Sequence, residues 1–280
     1  MSKILVLQSD FGIVDGAVSA MIGVALSVDT DLKIFDLSHS ITPYNVYEAS
    51  YRLFQSIQYW PTDTVFVSVV DPGVGSNRNS VVIKTKSQHY IVTPNNGSLT
   101  HILHFIGIEA AHIIDVKKHR RSELNQSYTF DGRDLYSFVG AKLASQQLDF
   151  DDLGPVCNLS DIITLPIPGA FKKEDTLFGG IEIFDERYGS LWTNLPVDLF
   201  NQINPKFNDH FEVCIFYKDK NVFKQDIIYG KTFNDVLVGS LVIYINSLNR
   251  VSIAINQGNL SQTYHIGTGL DWTISLKPIK

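Results

Sequence analysis

The sequence predicts an α/β domain followed by a smaller antiparallel β domain, a barrel or a sandwich, and three observations support this fold class. Apolar segments alternate with amphipathic segments through the first half, as in a mostly parallel sheet covered by helices. Residues 154–175 are rich in glycine, proline and charge, which indicates a boundary. Short strand-like segments separated by turn formers follow it. We therefore place an α/β domain at residues 1–165 and an all-β domain at residues 170–280.

Five segments of the first domain have the apolar, β-branched composition of strands. The most pronounced is residues 64–70, and the last two segments are close enough in sequence to form a pair. In chain order, the predicted strands are residues 4–8, 33–37, 64–70, 80–85 and 89–93.

Four segments beside these strands have helical periodicity. In one of them, Val46, Ala49, Leu53 and Ile57 share a face, and Pro61 marks its end. The predicted helices are residues 16–28, 46–59, 98–105 and 133–147. In the second domain, the predicted strands are residues 177–184, 210–217, 236–245, 251–256 and 272–277.

The composition excludes several classes of protein. With 44% hydrophobic and 19% charged residues, the chain is neither disordered nor a coiled coil. Its net charge of −6 gives no basic surface, so nucleic acid is not an expected partner. No segment has the roughly 18 apolar residues of a membrane helix, and the first apolar segment is too short for a secretory leader. We therefore expect a cytoplasmic protein without a membrane partner.

Common signatures of nucleotide binding, metal binding and hydrolysis are absent. Gly230-Lys231-Thr232 lacks the earlier glycine of a phosphate-binding loop, and Gly73-Val74-Gly75 lacks the third glycine of a dinucleotide site. No serine lies in a Gly-x-Ser-x-Gly motif. The two cysteines lack zinc-ligand spacing, and the His101–His104 pair has no further ligand pattern. We expect neither a metal nor a cofactor.

Polar, glycine-rich segments follow the predicted strands, at the edge where open α/β sheets bind ligands. Turn chemistry explains any one of them, but several aspartates and an arginine at one edge need a ligand or ion pairing. A carboxylate such as Asp10 can accept both hydroxyls of a ribose, and the Tyr44 ring can stack on a base or ribose. Helix capping and core packing are the alternatives for these two residues.

These segments together resemble one family. The chain contains, in order, Ser9-Asp10-Phe11-Gly12, His39-Ser40-Ile41-Thr42-Pro43, Val70-Asp71-Pro72-Gly73-Val74-Gly75-Ser76-x-Arg78, Pro94-Asn95-Asn96-Gly97 and Thr129-Phe130-x-Gly132-Arg133-Asp134. They are similar to motifs of the S-adenosyl-L-methionine hydroxide adenosyltransferases, adenosine-forming hydrolases related to fluorinase and chlorinase. The Asp185–Asn194 and Tyr244–Ser247 segments agree with the same family.

The resemblance implies that the domain at residues 170–280 is a β-barrel. It also implies a homotrimer whose active sites lie between the α/β domain of one subunit and the barrel of a neighbour. The implied reaction is in-line attack of water or hydroxide on C5′ of S-adenosylmethionine, which yields adenosine and L-methionine without a cofactor. Asp71 and Arg78 match two members of an Asp–Arg–His set that binds the water. The implied substrate ligands are Asp10 and Tyr44 at the ribose, Asn95 at the rim, Asp185 at the methionine ammonium and Ser247 at the methionine carboxylate.

This chain departs from the family pattern at three places. Asp131 stands where the family has the histidine of the water-binding set, and Ser190 stands where it has an asparagine facing adenine. After Ser247, Leu248 replaces a halogenase arginine, and the nearest cation is Arg250.

Asp131 has two alternative roles. It either acts as a catalytic base, with Arg78 stabilising the carboxylate of Asp71, or only caps the following helix. The alternative to hydrolysis is a protein that binds S-adenosylmethionine or adenosine with little turnover. Halide chemistry is disfavoured because the carboxylate of Asp71 would repel an anion.

Overall fold

The computed structural model describes residues 3–121 and 129–279. The chain folds into two compact units, residues 1–165 and 166–280. Among the described residues, no helix is both long enough and apolar enough to cross a membrane.

The first unit is built on a six-stranded mixed sheet in the order β2-β1-β3-β5-β4-β6. The strands β2, β1, β3 and β5 run parallel, whereas β4 is antiparallel to both of its neighbours. The strand bounds are Ile4–Ser9 (β1), Lys33–Ser38 (β2), Val65–Val69 (β3), Ser80–Thr85 (β4), Tyr90–Pro94 (β5) and Ile108–Ile113 (β6).

Helices cover both faces of this sheet because alternate side chains of its strands point to opposite faces. Leu5 and Leu7 belong to one buried cluster, whereas Val6 belongs to another. The helices are Ala17–Val28 (α1), Val46–Ile57 (α2), Val116–His119 (α3) and Phe138–Ala144 (α4). Two π-helical turns, Ile102–Ile106 and Gly132–Ser137, overlap segments predicted as helix and each extends one residue beyond them.

The second unit is a closed seven-stranded barrel. Its strands pair in the order β8-β9-β13-β12-β11-β10-β14, and β14 pairs with β8 to close the circle. All pairings are antiparallel except that of β11 with β12. The strands are Thr176–Asp185 (β8), Ser190–Pro196 (β9), His210–Tyr217 (β10), Lys220–Tyr229 (β11), Leu241–Ile245 (β12), Arg250–Ile255 (β13) and Trp272–Pro278 (β14), and Phe171–Lys173 (β7) pairs with β8.

The predicted fold class is confirmed, with local differences. Strands β6, β7, β9 and β11 were not predicted, nor were α3 and the short helices Val197–Asn201 (α5) and Leu260–Tyr264 (α6). The predicted strand at residues 236–245 is wrong at its start, because residues 238–239 form a turn in which Gly239 has a φ of +83°, and β12 begins at Leu241.

Candidate functional site

A cavity of about 290 Å³ lies at the carboxyl ends of β1 and β3 in the first unit. Its lining includes four of the predicted site residues, Asp10, Tyr44, Asp71 and Asp131, together with Phe11, Pro43, Val69, Val74, Thr129, Phe130 and Gly132. Because parallel strands end at the same edge of a sheet, residues far apart in sequence meet here.

Asp10 and Tyr44 are joined directly. The Tyr44 backbone amide donates to Asp10 Oδ2 at 2.8 Å. Tyr44 has a φ of +68°, and its side chain is 73% exposed. A left-handed conformation costs an aromatic residue about 1 kcal/mol or more. The turn is held in place by buried Glu48, whose carboxylate accepts from the Thr42 amide at 3.0 Å. The ring is thus displayed on the cavity rim, where it can stack on a flat ligand.

A chain of polar side chains that leads from buried Ser9 to exposed Asp36 supports the end of β1 behind Asp10. The Ser9 hydroxyl lies 2.7 Å from Nδ1 of His39, and Nε2 of His39 lies 3.1 Å from Asp36 Oδ1. The Gly12 amide donates to the carbonyl of His39 at 2.7 Å. These contacts fix the backbone on both sides of Asp10.

Asp71 forms a two-pronged ion pair with Arg78. The guanidinium Nε donates to Asp71 Oδ1 at 2.9 Å, and Nη2 donates to Oδ2. The third nitrogen, Nη1, donates to the Tyr136 hydroxyl at 3.0 Å, which itself lies 2.8 Å from the Ser80 hydroxyl. Burial raises the pKa of Tyr136, so its phenol stays protonated and neutral. Arg78 is therefore held by Asp71 on one side and by Tyr136 on the other.

Asp131 has its own arginine. Arg120 Nη1 donates to Asp131 Oδ1 at 2.7 Å, and the two side chains are 14% and 15% exposed. Asp71 and Asp131 therefore have separate arginine partners, Arg78 and Arg120. The helix-capping alternative is unsupported, because the Asp131 side chain makes no capping hydrogen bond. Asp131 precedes a π-helical turn and already has helical φ and ψ angles, a geometry that suits a side-chain cap poorly.

Aromatic packing forms one wall of this cavity and explains the glycine after Asp131. Phe11 and Phe130 pack edge to face with ring centres 5.7 Å apart. A Cβ atom at Gly132 would lie 2.9 Å from the Phe11 ring, which is closer than real contacts allow. The glycine therefore lets the turn that carries Asp131 approach the segment that follows Asp10.

The second unit has a cavity of about 700 Å³ that contains two further predicted residues. Asp185, at the end of β8, and Ser190, at the start of β9, line it with Arg187, Tyr188, Phe233 and residues 255–259. Gly189 has a φ of +63°, and a Cβ atom there would overlap the Asn259 side chain. Nearby, Trp192 Nε1 donates to the Tyr244 hydroxyl at 3.2 Å, and burial raises the pKa of Tyr244.

The structure places Asn95 and Ser247 outside both cavity linings. Asn95 is buried, donates to the Asp161 carbonyl and accepts from the Ile163 amide, both at 2.8 Å. Ser247 is exposed in the turn after β12. Arg250 is buried in the barrel beside Glu182 and does not line the second cavity.

Sequence reasoning missed Arg120, since its contact with Asp131 crosses eleven positions without any periodicity. The run Lys117-Lys118-His119-Arg120-Arg121 is typical of an exposed basic face. Among residues 3–121 and 129–279, no group of three or more His, Cys, Asp or Glu side chains is arranged to hold a metal ion.

Comparison with known proteins relates both units to one family. The model of the SAM hydroxide adenosyltransferase N-terminal domain matches residues 5–154, and that of the C-terminal domain matches residues 179–273. An (R)-S-adenosyl-L-methionine hydrolase from Methanocaldococcus jannaschii is 34% identical over 221 residues, 77% of this chain and 74% of that protein. A fluorinase from Actinopolyspora mzabensis is 24% identical over 95% of each chain.

Solved structures agree. The crystal structure of an uncharacterized conserved protein from Thermotoga maritima matches with a TM-score of 0.87 at 30% identity, covering 98% of this chain and 99% of that chain. The chain belongs to the SAM hydroxide adenosyltransferase family.

Proposed function

We propose that this protein hydrolyses S-adenosyl-L-methionine to adenosine and L-methionine. The observation that carries the proposal is the cavity of the first unit, where Asp10, Asp71 and Asp131 converge and two of the three have an arginine partner. Family membership and the hydrolase names of several relatives support the same reaction.

The charge of this cavity suits a cationic substrate. Arg78 balances Asp71 and Arg120 balances Asp131, whereas Asp10 takes part in no ion pair among the described residues. One carboxylate is thus left to attract the sulfonium of S-adenosylmethionine. A halide ion has the same negative charge as this carboxylate and is repelled, so water is the favoured nucleophile.

The proposed step is a displacement at carbon. A water oxygen bonds to C5′ while the C5′–S bond breaks. The electron pair of the C5′–S bond stays on sulfur, which becomes the neutral thioether of methionine. Asp71, fixed by Arg78, orients the water, and Asp131 accepts the proton that the water loses. The leaving group needs no acid because the sulfonium is already positively charged.

The substrate contacts are divided between the two units. In the first unit, Asp10 binds the ribose diol and Tyr44 stacks on the ribose. In the second unit, Asp185 receives the methionine ammonium, Ser190 faces adenine and Ser247 meets the carboxylate. Asn95 supports the rim indirectly, because its side chain holds residues 161–163 through two hydrogen bonds. The two halves come from neighbouring subunits of a homotrimer.

The test is turnover in ¹⁸O-labelled water. Purified protein is incubated with S-adenosylmethionine, and adenosine and methionine are followed by chromatography with mass detection. Attack on C5′ places the label in the 5′-hydroxyl of adenosine, and turnover persists in excess chelator. Tight binding without adenosine release would contradict hydrolysis and favour a binding protein. Formation of 5′-chloro-5′-deoxyadenosine with added chloride would contradict the preference for water.

A further inference from the structure

Arg120 is the basic residue that faces Asp131 at the edge of the first cavity. We propose that Arg120 is a positioning residue that holds the Asp131 carboxylate in place and aimed at the attacking water. The inference rests on the proposed hydrolysis and extends it to a residue outside the motifs that carry the family resemblance.

The backbone of Arg120 is fixed by the short helix that precedes it. The Asp115 side chain caps α3 by accepting from the amides of Lys117 and Lys118 at 3.1 and 3.3 Å. His119 is buried, with Nε2 3.1 Å from the Asp152 carbonyl. The Arg120 amide continues the helix by donating to the Val116 carbonyl at 3.0 Å. The guanidinium is therefore presented from a defined position.

A second contact joins the segment of Arg120 to the segment of Asp131. The Arg121 amide donates to the carbonyl of Asp134 at 2.9 Å, within the π-helical turn that follows Asp131. The arginine and the carboxylate thus lie on two pieces of backbone that are bonded to one another. Such a tie holds the 2.7 Å contact between Arg120 Nη1 and Asp131 Oδ1 at little further entropic cost.

The charges around the first cavity indicate what the contact between Arg120 and Asp131 does. Asp10, Asp71 and Asp131 line the same cavity, and Arg120 adds a second guanidinium beside Arg78, so its positive charge offsets the repulsion among these carboxylates. A histidine at position 131 would need no such partner, whereas an aspartate does. Arg120 engages Oδ1, and Oδ2 of Asp131 accepts no hydrogen bond within the described part of the chain, which leaves it for the water.

Steady-state kinetics of five variants test the inference: Arg120→Gln, Arg120→Lys, Asp131→Asn, the double variant Arg120→Gln/Asp131→Asn, and Lys84→Gln. Lys84 is a matched control, because its partly buried side chain forms an ion pair with Glu109 at 2.9 Å and neither residue lines the cavity. We expect Arg120→Gln to lower kcat at least about tenfold while KM changes less than about threefold. Arg120→Lys restores most of the lost kcat.

The double variant separates positioning from a general loss of structure. If Arg120 acts through Asp131, its kcat lies within about twofold of that of Asp131→Asn alone. The inference would be overturned if the kcat losses of the two single variants multiplied in the double variant, or if Arg120→Gln changed kcat and KM equally. An Arg120→Gln variant with the same kinetics as Lys84→Gln would also overturn it. No turnover by the unaltered protein would instead contradict the proposed hydrolysis, and this inference with it.

Discussion

Arg78 is held from two sides, by the carboxylate of Asp71 and by the buried phenol of Tyr136. Both Asp71 oxygens accept from the guanidinium, so the carboxylate is fixed in orientation as well as in charge. A group fixed in this way is suited to orient a water molecule, because it needs no rearrangement when the reaction begins.

We expect Asp71→Asn to lower kcat by about a hundredfold or more and to change KM less than about threefold. An amide keeps the shape but loses the charge that Arg78 balances and the second acceptor oxygen. Asp219→Asn, in the exposed turn between β10 and β11, is the matched control. A fall in kcat accompanied by an equal rise in KM would instead mark Asp71 as a substrate ligand.

The sequence predicts some of these residues and not others for identifiable reasons. The ion pair between Asp71 and Arg78 is predicted from a short glycine-rich loop, and the structure confirms it. The contact of Asp131 with Arg120 depends on how α3 packs, and α3 is too short for any periodicity to reveal. The buried position of Asn95 depends on the later segment at residues 161–163, which has no recognisable motif.

At the scale of elements, α4 approaches the sheet unusually closely. Gly140 faces β3, and a Cβ atom there would overlap a methyl group of Val67 and lie 3.2 Å from a Leu5 methyl. The close approach brings the π-helical turn, and with it Asp131, toward the ends of β1 and β3. Helix periodicity indicates which residues face inward, but it does not reveal how near the helix lies.

We expect Gly140→Ala to destabilise the protein by about 1–3 kcal/mol although alanine is the better helix former, because the added methyl has no space. Gly23→Ala in α1 is the matched control, since nothing lies within 4 Å of its Cβ position. This second change should stabilise by about 0.5–1 kcal/mol. Urea unfolding of both variants measures the two effects, and equal shifts would contradict the close approach.

The helix α3 should also make stability depend on pH. Burial lowers the pKa of His119, and the positive charges of Lys118 and Lys142 lower it further. Below about pH 6.5 the unfolded chain therefore binds a proton that the folded chain resists, and stability falls as pH falls. We expect the wild type to lose more stability between pH 7.5 and 5.5 than His119→Gln, whose amide can still donate to the Asp152 carbonyl. An identical loss in urea unfolding would refute the contribution of His119.

At the scale of the whole molecule, the two units differ in how well their strands can be predicted from sequence. Parallel strands of the first unit are buried on both faces, so their apolar segments stand out, as β3 does. Strands of a small barrel are exposed on one side, and β11 carries Lys220, Lys224 and Asp226 there. These charged residues interrupt the apolar pattern, so β11 was not predicted from the sequence. The strand pattern allowed a barrel or a sandwich, and the family resemblance indicated the barrel.

The proposed division of the site between subunits predicts complementation. Asp71→Asn disables the first-unit half and Asp185→Asn the second-unit half, so each pure variant has little activity. In mixed trimers formed by co-expression, about a quarter of the sites combine two unaltered halves, and activity should return to about that fraction. Light scattering gives the oligomeric state. Trimers without recovered activity would show that both halves come from one chain.

The closure of the barrel has a consequence for its synthesis. The strand β14 pairs with both β10 and β8, so the circle stays open until the ribosome has made Trp272–Pro278. Every strand of the first unit has by then left the exit tunnel. During this interval the nascent barrel presents two unpaired backbone edges, and such edges are where chains join to one another. A premature stop before Trp272 would make that transient state permanent.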